Sequence, residues 1–382
     1  MKAQEYKKIN KSSTSGPDSF LRNLRQYYGE KEVRVQLTNE VGSNFVYFNN
    51  GLKDPKQEFK ALIKQALERR EVEVQDYLET AYITSEINSS LKAEGVHSSR
   101  KIVDQVLKAK KSGETFKKDT IQRLVANYYE SIRFIISGKE VTKRNIFILY
   151  GLLTSDLSEV IEEGNFYREG VVSIGEDQGM ESTQIESKMN ELIEFINFDE
   201  MNDDIQTKAI ISHYVFENIH PYYDYNGRMG RLLHLWILRN HSTEEFWKLV
   251  FLSESIYAFK GKLDTTFRRI TKAKKNKANI DLTYFVSNMY EIFNEHTKAY
   301  IKMKDLVVEM DKKPSRHLRL FIIDLLCSSG EFNKWYDISE FKRRYEDYSK
   351  TVYDRVLKEI KDSGLFEIRG SRPIQFRLIQ TK

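Results

Sequence analysis

The chain is short of cysteine, of long apolar runs and of net charge. Its one cysteine, Cys327, excludes a disulfide within the chain and fits a reducing cytosol. Cys327 sits in the apolar run FIIDLLC and is expected to pack. A membrane helix needs about 20 consecutive, mostly apolar residues, and no such run occurs. The first residues, MKAQEYKKINKSSTSG, lack the apolar core of a signal peptide, so a cytoplasmic protein without membrane attachment is expected. A net charge of +5 is no argument for a nucleic-acid partner. Lysines cluster at 108–118 and 272–277, between apolar-periodic stretches, where solvated loops are expected. The 382 residues, 40% apolar and 31% charged, suffice for two or three domains of ordinary composition.

What is present centres on HPYYDYNGRMGR, His220 to Arg231. Before it, Ile210, Ile211, Tyr214, Val215 and Ile219 have the spacing of a buried helix face. After it, Met229, Leu232, Leu233, Trp236 and Ile237 repeat that spacing, and Pro221 and the Asn226-Gly227 pair mark a break between two helices. A loop that opens a helix presents unpaired N–H groups and partial positive charge, which suits phosphate. Gly227 allows close approach of an anion. Arg228 and Arg231, three apart, share a face, and guanidinium forks match phosphate oxygens. Asp224 makes sense beside phosphate if Mg²⁺ lies between them. His220, at the end of the first helix, can act as a general base near neutral pH. Singly, a histidine before proline is ordinarily a cap or core residue and an arginine pair a solvated face. The joint pattern points to a phosphate-handling site.

That segment resembles the signature of the Fic family, HPFx(D/E)GNGRxxR. His220, Pro221, Tyr222, Asp224, Asn226, Gly227, Arg228 and Arg231 are in register. Two positions depart: Tyr222 stands for the usual Phe, and Tyr225 for the usual glycine of the anion loop. The resemblance implies a protein adenylyltransferase that moves AMP from Mg-ATP to a Tyr, Thr or Ser hydroxyl of a protein target, with self-modification and a homo-oligomer both compatible. It implies His220 as base, Asp224 as Mg²⁺ ligand, Asn226 and Gly227 lining the anion hole, and Arg228 and Arg231 on the β- and γ-phosphates. Upstream, SLKAEG, Ser90 to Gly95, is similar to the inhibitory (S/T)xxxE(G/N) helix of autoinhibited Fic proteins. There Glu94 would pair with Arg231; an alternative register, TSEINS from Thr84 to Ser89, would put Asn88 in its place. NFYREGVVSIG, Asn165 to Gly175, reads as a short hairpin turning at Gly170, and in this family such a flap holds the target by strand addition. Tyr167, Arg168, Val171 and Val172 would form it.

The expected fold class is mainly α: a Fic-type helical catalytic domain with a β-hairpin flap, then a C-terminal α+β winged helix. Expected divisions are a tail over 1–18, an N-terminal region with the inhibitory helix over 19–118, the catalytic domain over 119–305, and the last domain over 312–382. Val33 to Leu37 and Asn44 to Phe48 read as paired strands, and Gln57 to Leu78, Thr120 to Ser137, Thr142 to Glu162 and Ile185 to Asn197 as helices. At the C-terminus the order is a helix from Ser315 with Leu318, Ile322, Leu325 and Leu326 inward, a second over Asp337 to Arg344, a third over Ser349 to Lys361, and strands Leu365 to Ile368 and Ile374 to Leu378. Lys350, Thr351 and Tyr353 could read DNA, against Asp354 and Glu359 on the same helix. Two other readings remain at this point. One is another nucleotide or phosphate transfer, or removal of AMP, on the same fold. The other is a DNA-binding regulator with a degenerate central domain.

Overall fold

The computed structural model describes residues 17–68, 75–113, 119–157, 165–174, 177–198, 204–241, 250, 252–274, 279–308, 315, 317–318, 321–322, 335–337, 349–370 and 374–378. The chain opens with α1 (Pro17–Tyr28), β1 (Val33–Thr38), β2 (Asn44–Tyr47), α2 (Lys53–Glu68), α3 (Gln75–Ala93) and α4 (Arg100–Ser112). There follow α5 (Thr120–Ile136), α6 (Lys143–Thr154), β3 (Ser173–Ile174), β4 (Asp177–Gln178), α7 (Ser182–Asn197), α8 (Ile205–Ile219) and α9 (Asn226–His241). The last part holds α10 (Leu252–Ala258), α11 (Lys260–Lys274), β5 (Ile280–Asp281), α12 (Thr283–Val308), β6 (Tyr336–Asp337), α13 (Lys350–Asp362), β7 (Phe366–Arg369) and β8 (Gln375–Leu378). The architecture is mainly helical with small sheets, as expected. None of the described helices is long and apolar enough to cross a membrane.

The chain forms two units, and they interleave along the sequence instead of following one another. The first takes residues 1–60, 118–247 and 259–292; the second takes 61–117, 248–258 and 293–382. The expected N-terminal region is therefore divided between them. Its strands belong to the first unit because β2 has two partners. β1 lies antiparallel to it, with Val33 opposite Tyr47, and β5 lies parallel, with Phe45 opposite Ile280. Thr283 Oγ1 accepts from the Phe48 N–H at 2.9 Å, closing the junction. Gly51 is required there: a Cβ would come within 2.4 Å of Thr283 Cγ2. α1, absent from the sequence reading, buries Leu21, Leu24 and Tyr28 under the sheet, with Tyr28 stacked on Phe48.

The core of the first unit is α8 and α9 lying side by side, with α7 against α8 and α5 against α9. All the apolar positions read from the sequence in these two helices are buried. α8 goes further: Gln206, Thr207, Lys208, Ser212 and His213 are buried too, so the helix is enclosed on every side. Its buried cation is met by backbone, with Lys208 Nζ donating to the Phe198 carbonyl. α5 begins at a capping box between Asp119 and Gln122, and α6 at the cap Thr142. α6 ends at Thr154, short of the expected Glu162; residues 158–164 lie outside the described set.

In the second unit, α10 packs along α3 through polar groups. Glu86 accepts from the Ser253 N–H at 3.0 Å and from its hydroxyl, and Ser85 Oγ donates to Glu254. The lysines at 108, 110 and 111 stand in the last turns of α4, not in a loop, where cations complement the helix dipole. Of the second cluster, Lys272 and Lys274 lie in α11.

The C-terminal segment has α13 capped by Ser349, and a three-stranded antiparallel sheet in the order β6-β8-β7. β6 corrects the expectation of a helix starting at Asp337: Tyr336 and Asp337 pair with Phe376 and Gln375. Phe321, Tyr336, Phe366 and Phe376 form its aromatic core. Leu325, Leu326, Cys327 and most of the expected second helix lie outside the described residues.

Candidate active site

α8 ends because Pro221 follows His220, and the residue before proline disfavours the right-handed helical region. His220 takes the left-handed region instead, at φ 54°, with its N–H on the Phe216 carbonyl at 3.0 Å. That conformation costs an ordinary L-residue about 1–2 kcal/mol, so something must hold it. Arg168 does. Its backbone N–H donates to the Pro221 carbonyl at 3.0 Å and its Nε to the His220 carbonyl at 2.8 Å. Its remaining guanidinium nitrogens donate to the carbonyls of Gly170 and Met180, both at 2.6 Å.

The His220 ring is set by the backbone. Nδ1 lies 3.3 Å from the Glu217 carbonyl, which can only accept, so Nδ1 carries the proton and Nε2 the lone pair. Burial pushes the imidazole below its ordinary value, opposed by the Glu217 carbonyl and charge, with the Arg168 charge adding to the lowering. A neutral imidazole with Nε2 as base is the result. The Glu217 carboxylate is occupied elsewhere, 3.0 Å from His213 Nε2. His213 in turn packs edge-on against His234, which burial and then His213 hold well below the ordinary value. Gly230 makes this layer possible: a Cβ there would lie 2.9 Å from the His213 ring.

The loop from Pro221 to Tyr225 is braced from inside. Tyr222 is fully buried and stacks on Tyr150, with ring centroids 3.8 Å apart and planes 7° from parallel. The Asn226 amide clamps both ends of Tyr222, accepting from its N–H at 3.0 Å and donating to its carbonyl at 2.8 Å. One N–H and one lone pair of that side chain are thus used to shape the loop. Tyr225, where glycine was expected, keeps the glycine conformation at φ 69°. Its ring is buried, with the Arg228 guanidinium carbon over it, 3.6 Å from the ring centroid. Burial raises the Tyr225 hydroxyl, with the Arg228 charge pulling the other way.

Gly227 and Arg228 stand in the first turn of α9, where backbone N–H groups have no acceptor within the helix. Arg228 and Arg231 are both buried. Arg228 Nε has no hydrogen-bond acceptor among the described residues, and its nearest anion is Asp224 at 3.6 Å. A buried guanidinium with a bare donor fits a phosphate oxygen. Asp224 is 73% exposed. Among the described residues no three His, Cys, Asp or Glu side chains gather to hold a metal. One carboxylate is what a Mg²⁺ carried mainly by phosphate and water requires.

The flap is displaced along the chain from where the sequence put it. β3 pairs with β4, Ser173 opposite Gln178, and the Gly179 N–H extends the ladder to the Val172 carbonyl at 2.8 Å. The chain therefore reverses after Ile174, not at Gly170. Gly170 instead sits under Tyr223, whose hydroxyl accepts from the N–H groups of Glu169 and Gly170 at 3.2 and 2.9 Å. Tyr167 and Arg168 are buried, so neither side chain can face a docked peptide; Val171 is 73% exposed. The roles of Arg168, Tyr223, Glu217 and Gly230 were missed from sequence. Only a glycine three after Gly227 and a basic residue before the hairpin hinted at any of them.

The Fic/DOC family model matches residues 140–238, which span α6, the flap, α7, α8 and nearly all of α9. The chain carries a Fic/DOC domain. Proteins with this domain transfer nucleotide or phosphate groups to proteins and generally draw them from ATP. In fold the chain is similar to a Fic family protein from Desulfovibrio desulfuricans, at 17% identity and a TM-score of 0.53, over 87% of this chain and 97% of that one. A Fic domain containing signaling protein from Bacteroides thetaiotaomicron matches at 16% identity and a TM-score of 0.46, over 74% and 100%. Fic-1 from C. elegans matches at 16% identity and 0.45, over 66% and 71%. No curated protein sequence matches the chain.

The SLKAEG segment lies in the second unit, at the end of α3. Leu91 and Lys92 carbonyls accept from the N–H groups of Val96 and Gly95 at 3.0 Å each, a Schellman stop with Gly95 at φ 77°. Ser90 is buried and Glu94 is exposed at the tip. Asn88, the alternative to Glu94, is buried, and its Oδ1 accepts from Ser98 at 2.9 Å.

Proposed function

We propose that this Fic domain transfers AMP from ATP to a Tyr, Thr or Ser hydroxyl of a protein target. The observation that supports it is His220, neutral, with Nδ1 tied to the Glu217 carbonyl and Nε2 left as the basic atom. Nε2 takes the proton of the target hydroxyl. The hydroxyl oxygen bonds to the α-phosphorus as the bond to pyrophosphate breaks. Arg228, Arg231 and the first-turn N–H groups of α9 bind the β- and γ-phosphates and stabilise the charge that develops there. Asp224 would hold a Mg²⁺ carried with the nucleotide, which would supply neutralisation of phosphate charge. Val171, which is exposed, and the half-buried Val172 meet the target backbone, while the buried Tyr167 and Arg168 fix the segment that leads into the flap.

Glu94, at the exposed end of α3, acts as the brake in this reading. The strand order β6-β8-β7 beside α13 supports a winged helix in the C-terminal segment. There Glu359 is committed to Ser315, accepting from its hydroxyl at 2.5 Å. A hydrogen bond from a neutral hydroxyl leaves that carboxylate charged, so Glu359 and Asp354 both repel DNA phosphate from that helix.

The test is incubation with α-labelled ATP and Mg²⁺. Label should appear on protein with the wild type and be lost with His220→Ala, while ATP still binds. Labelling at the wild-type rate in His220→Ala would overturn the mechanism, and label from the γ-position alone would favour phosphate transfer instead. Glu94→Gly should raise labelling about ten- to a hundredfold, the release expected from losing one charge-assisted hydrogen bond.

A further inference from the structure

We infer that Tyr225 is a positioning residue for the phosphate donor: its ring holds Arg228 in place before any ligand arrives and decides from which side a phosphate can approach. The inference rests on the nucleotide reading above.

The starting observation is a backbone outlier. Tyr225 sits at φ 69°, a conformation that glycine adopts freely and tyrosine does not. Strain of this kind persists where the surroundings over-determine it, often at a binding site. The surroundings here are on both sides. On the chain side, Asp224 Oδ1 accepts from the Tyr225 N–H at 2.6 Å, and the Tyr225 carbonyl accepts from the Met229 N–H at 2.9 Å. On the ring side lies the Arg228 guanidinium, 3.6 Å from the ring centroid.

Arg228 shows why that contact matters. Its side chain is buried, its nearest carboxylate is 3.6 Å away and itself 73% exposed, and its Nε has no acceptor among the described residues. Among the described residues a guanidinium so placed has few contacts to fix a long, flexible side chain: the long one to Asp224 and those to the Tyr225 side chain. The aromatic face supplies one, since a cation over a ring is attracted most when both are desolvated. The ring covers one face of the planar guanidinium. What remains for a ligand is the edge, with Nε and the outer nitrogens, and the edge is what a phosphate oxygen needs. With glycine at this position Arg228 would have to be ordered by the ligand, at a cost in affinity. The tyrosine orders it beforehand and closes one face to stacking groups.

The test is calorimetric titration of the full chain with ADP and with inorganic pyrophosphate, alongside melting curves. Tyr225→Phe keeps the ring and should bind both within about twofold of wild type. Tyr225→Leu keeps bulk and burial but loses the ring face, and should bind both about three- to thirtyfold more weakly. Tyr225→Gly should show the same weakening, with relief of the backbone strain offsetting only part of what loss of the buried ring costs in melting temperature. Equal weakening in the Leu variant, which keeps the bulk, and in the Gly variant, which does not, is a pattern a packing role would not produce. Leu or Gly variants that bind as tightly as wild type would overturn the inference and leave the nucleotide reading standing. A wild type that binds neither ADP nor pyrophosphate would overturn both. If Tyr225→Leu does not fold, the Phe and Gly variants decide alone.

Discussion

Arg168→Lys and Arg168→Met, made in the full chain, test whether one buried cation sets the geometry of the base. The guanidinium makes three side-chain hydrogen bonds, to the carbonyls of His220, Gly170 and Met180, at 2.8, 2.6 and 2.6 Å. Each charged bond is worth about 1.5–3 kcal/mol before desolvation is counted, and burying the guanidinium takes back a large part. The desolvation is visible in Arg168 itself, whose pKa burial lowers. Met would leave three carbonyls without that donor, for a net loss of about 2–4 kcal/mol and a fall of several degrees in Tm. Lys keeps the charge but not the fork, and should lose about 1–2 kcal/mol. Label transfer should fall about tenfold for each 1.4 kcal/mol of lost alignment at His220. The pH profile separates the two variants. The Arg168 charge helps lower the His220 pKa, so removing it lets the imidazole hold its proton to higher pH. The acid limb of activity, expected below 6.5 in the wild type, should therefore move up in Arg168→Met and stay in Arg168→Lys. A Met variant with an unmoved limb would refute the electrostatic link. A Lys variant with wild-type rate and Tm would refute the brace.

Three further outcomes are expected. The Tyr222 hydroxyl is fully buried with no partner among the described residues, so Tyr222→Phe should raise stability by about 1 kcal/mol in urea unfolding and keep activity; a destabilised variant would mean that the hydroxyl has a partner. Gly230→Ala should cost about 1–3 kcal/mol, because the new Cβ meets the His213 ring at 2.9 Å; a neutral result would show that the helices can part. Burial raises the Asp281 carboxyl to about 6 against the pull of its Thr283 hydrogen bonds, while the ordinary value is 3.8. The folded state thus binds this proton more tightly than the unfolded chain, and stability from the group is lost as pH rises through about 6. Asp281→Asn should then be the more stable protein near pH ~8, by on the order of 1–3 kcal/mol, with the gap closing near pH ~4; equal gaps at both pH values would refute this.

Local pattern carried much of the fold. The spacing of Ile210, Tyr214 and Val215, and of Met229, Leu232 and Trp236, located α8 and α9, and the run from His220 to Arg231 located the site between them. Alternation found β1 and β2, and Ser349 marked the start of α13. What escaped is what periodicity does not encode. β5 is two residues long and pairs with a strand far away in sequence, so no local pattern announces it. Arg168 has the composition of a surface residue, yet its partners are carbonyls that the backbone brings together only after folding. Lys208 reads as polar punctuation in an apolar face and is instead enclosed. Glycine suits turns, which puts the expected hairpin on Gly170, but that glycine makes room for the Tyr223 ring.

The pairing of β2 with β5 has a consequence for synthesis. Phe48 and Thr283 are 235 residues apart, and the strands they adjoin must meet before the first unit is closed. A ribosome adding about 5–20 residues per second needs on the order of 10–50 s to cover that distance. Through that interval the first hairpin has emerged with one edge unpaired, and an unpaired strand edge is a template for wrong partners. The short length of β2, four residues, is the feature that limits that edge while it waits.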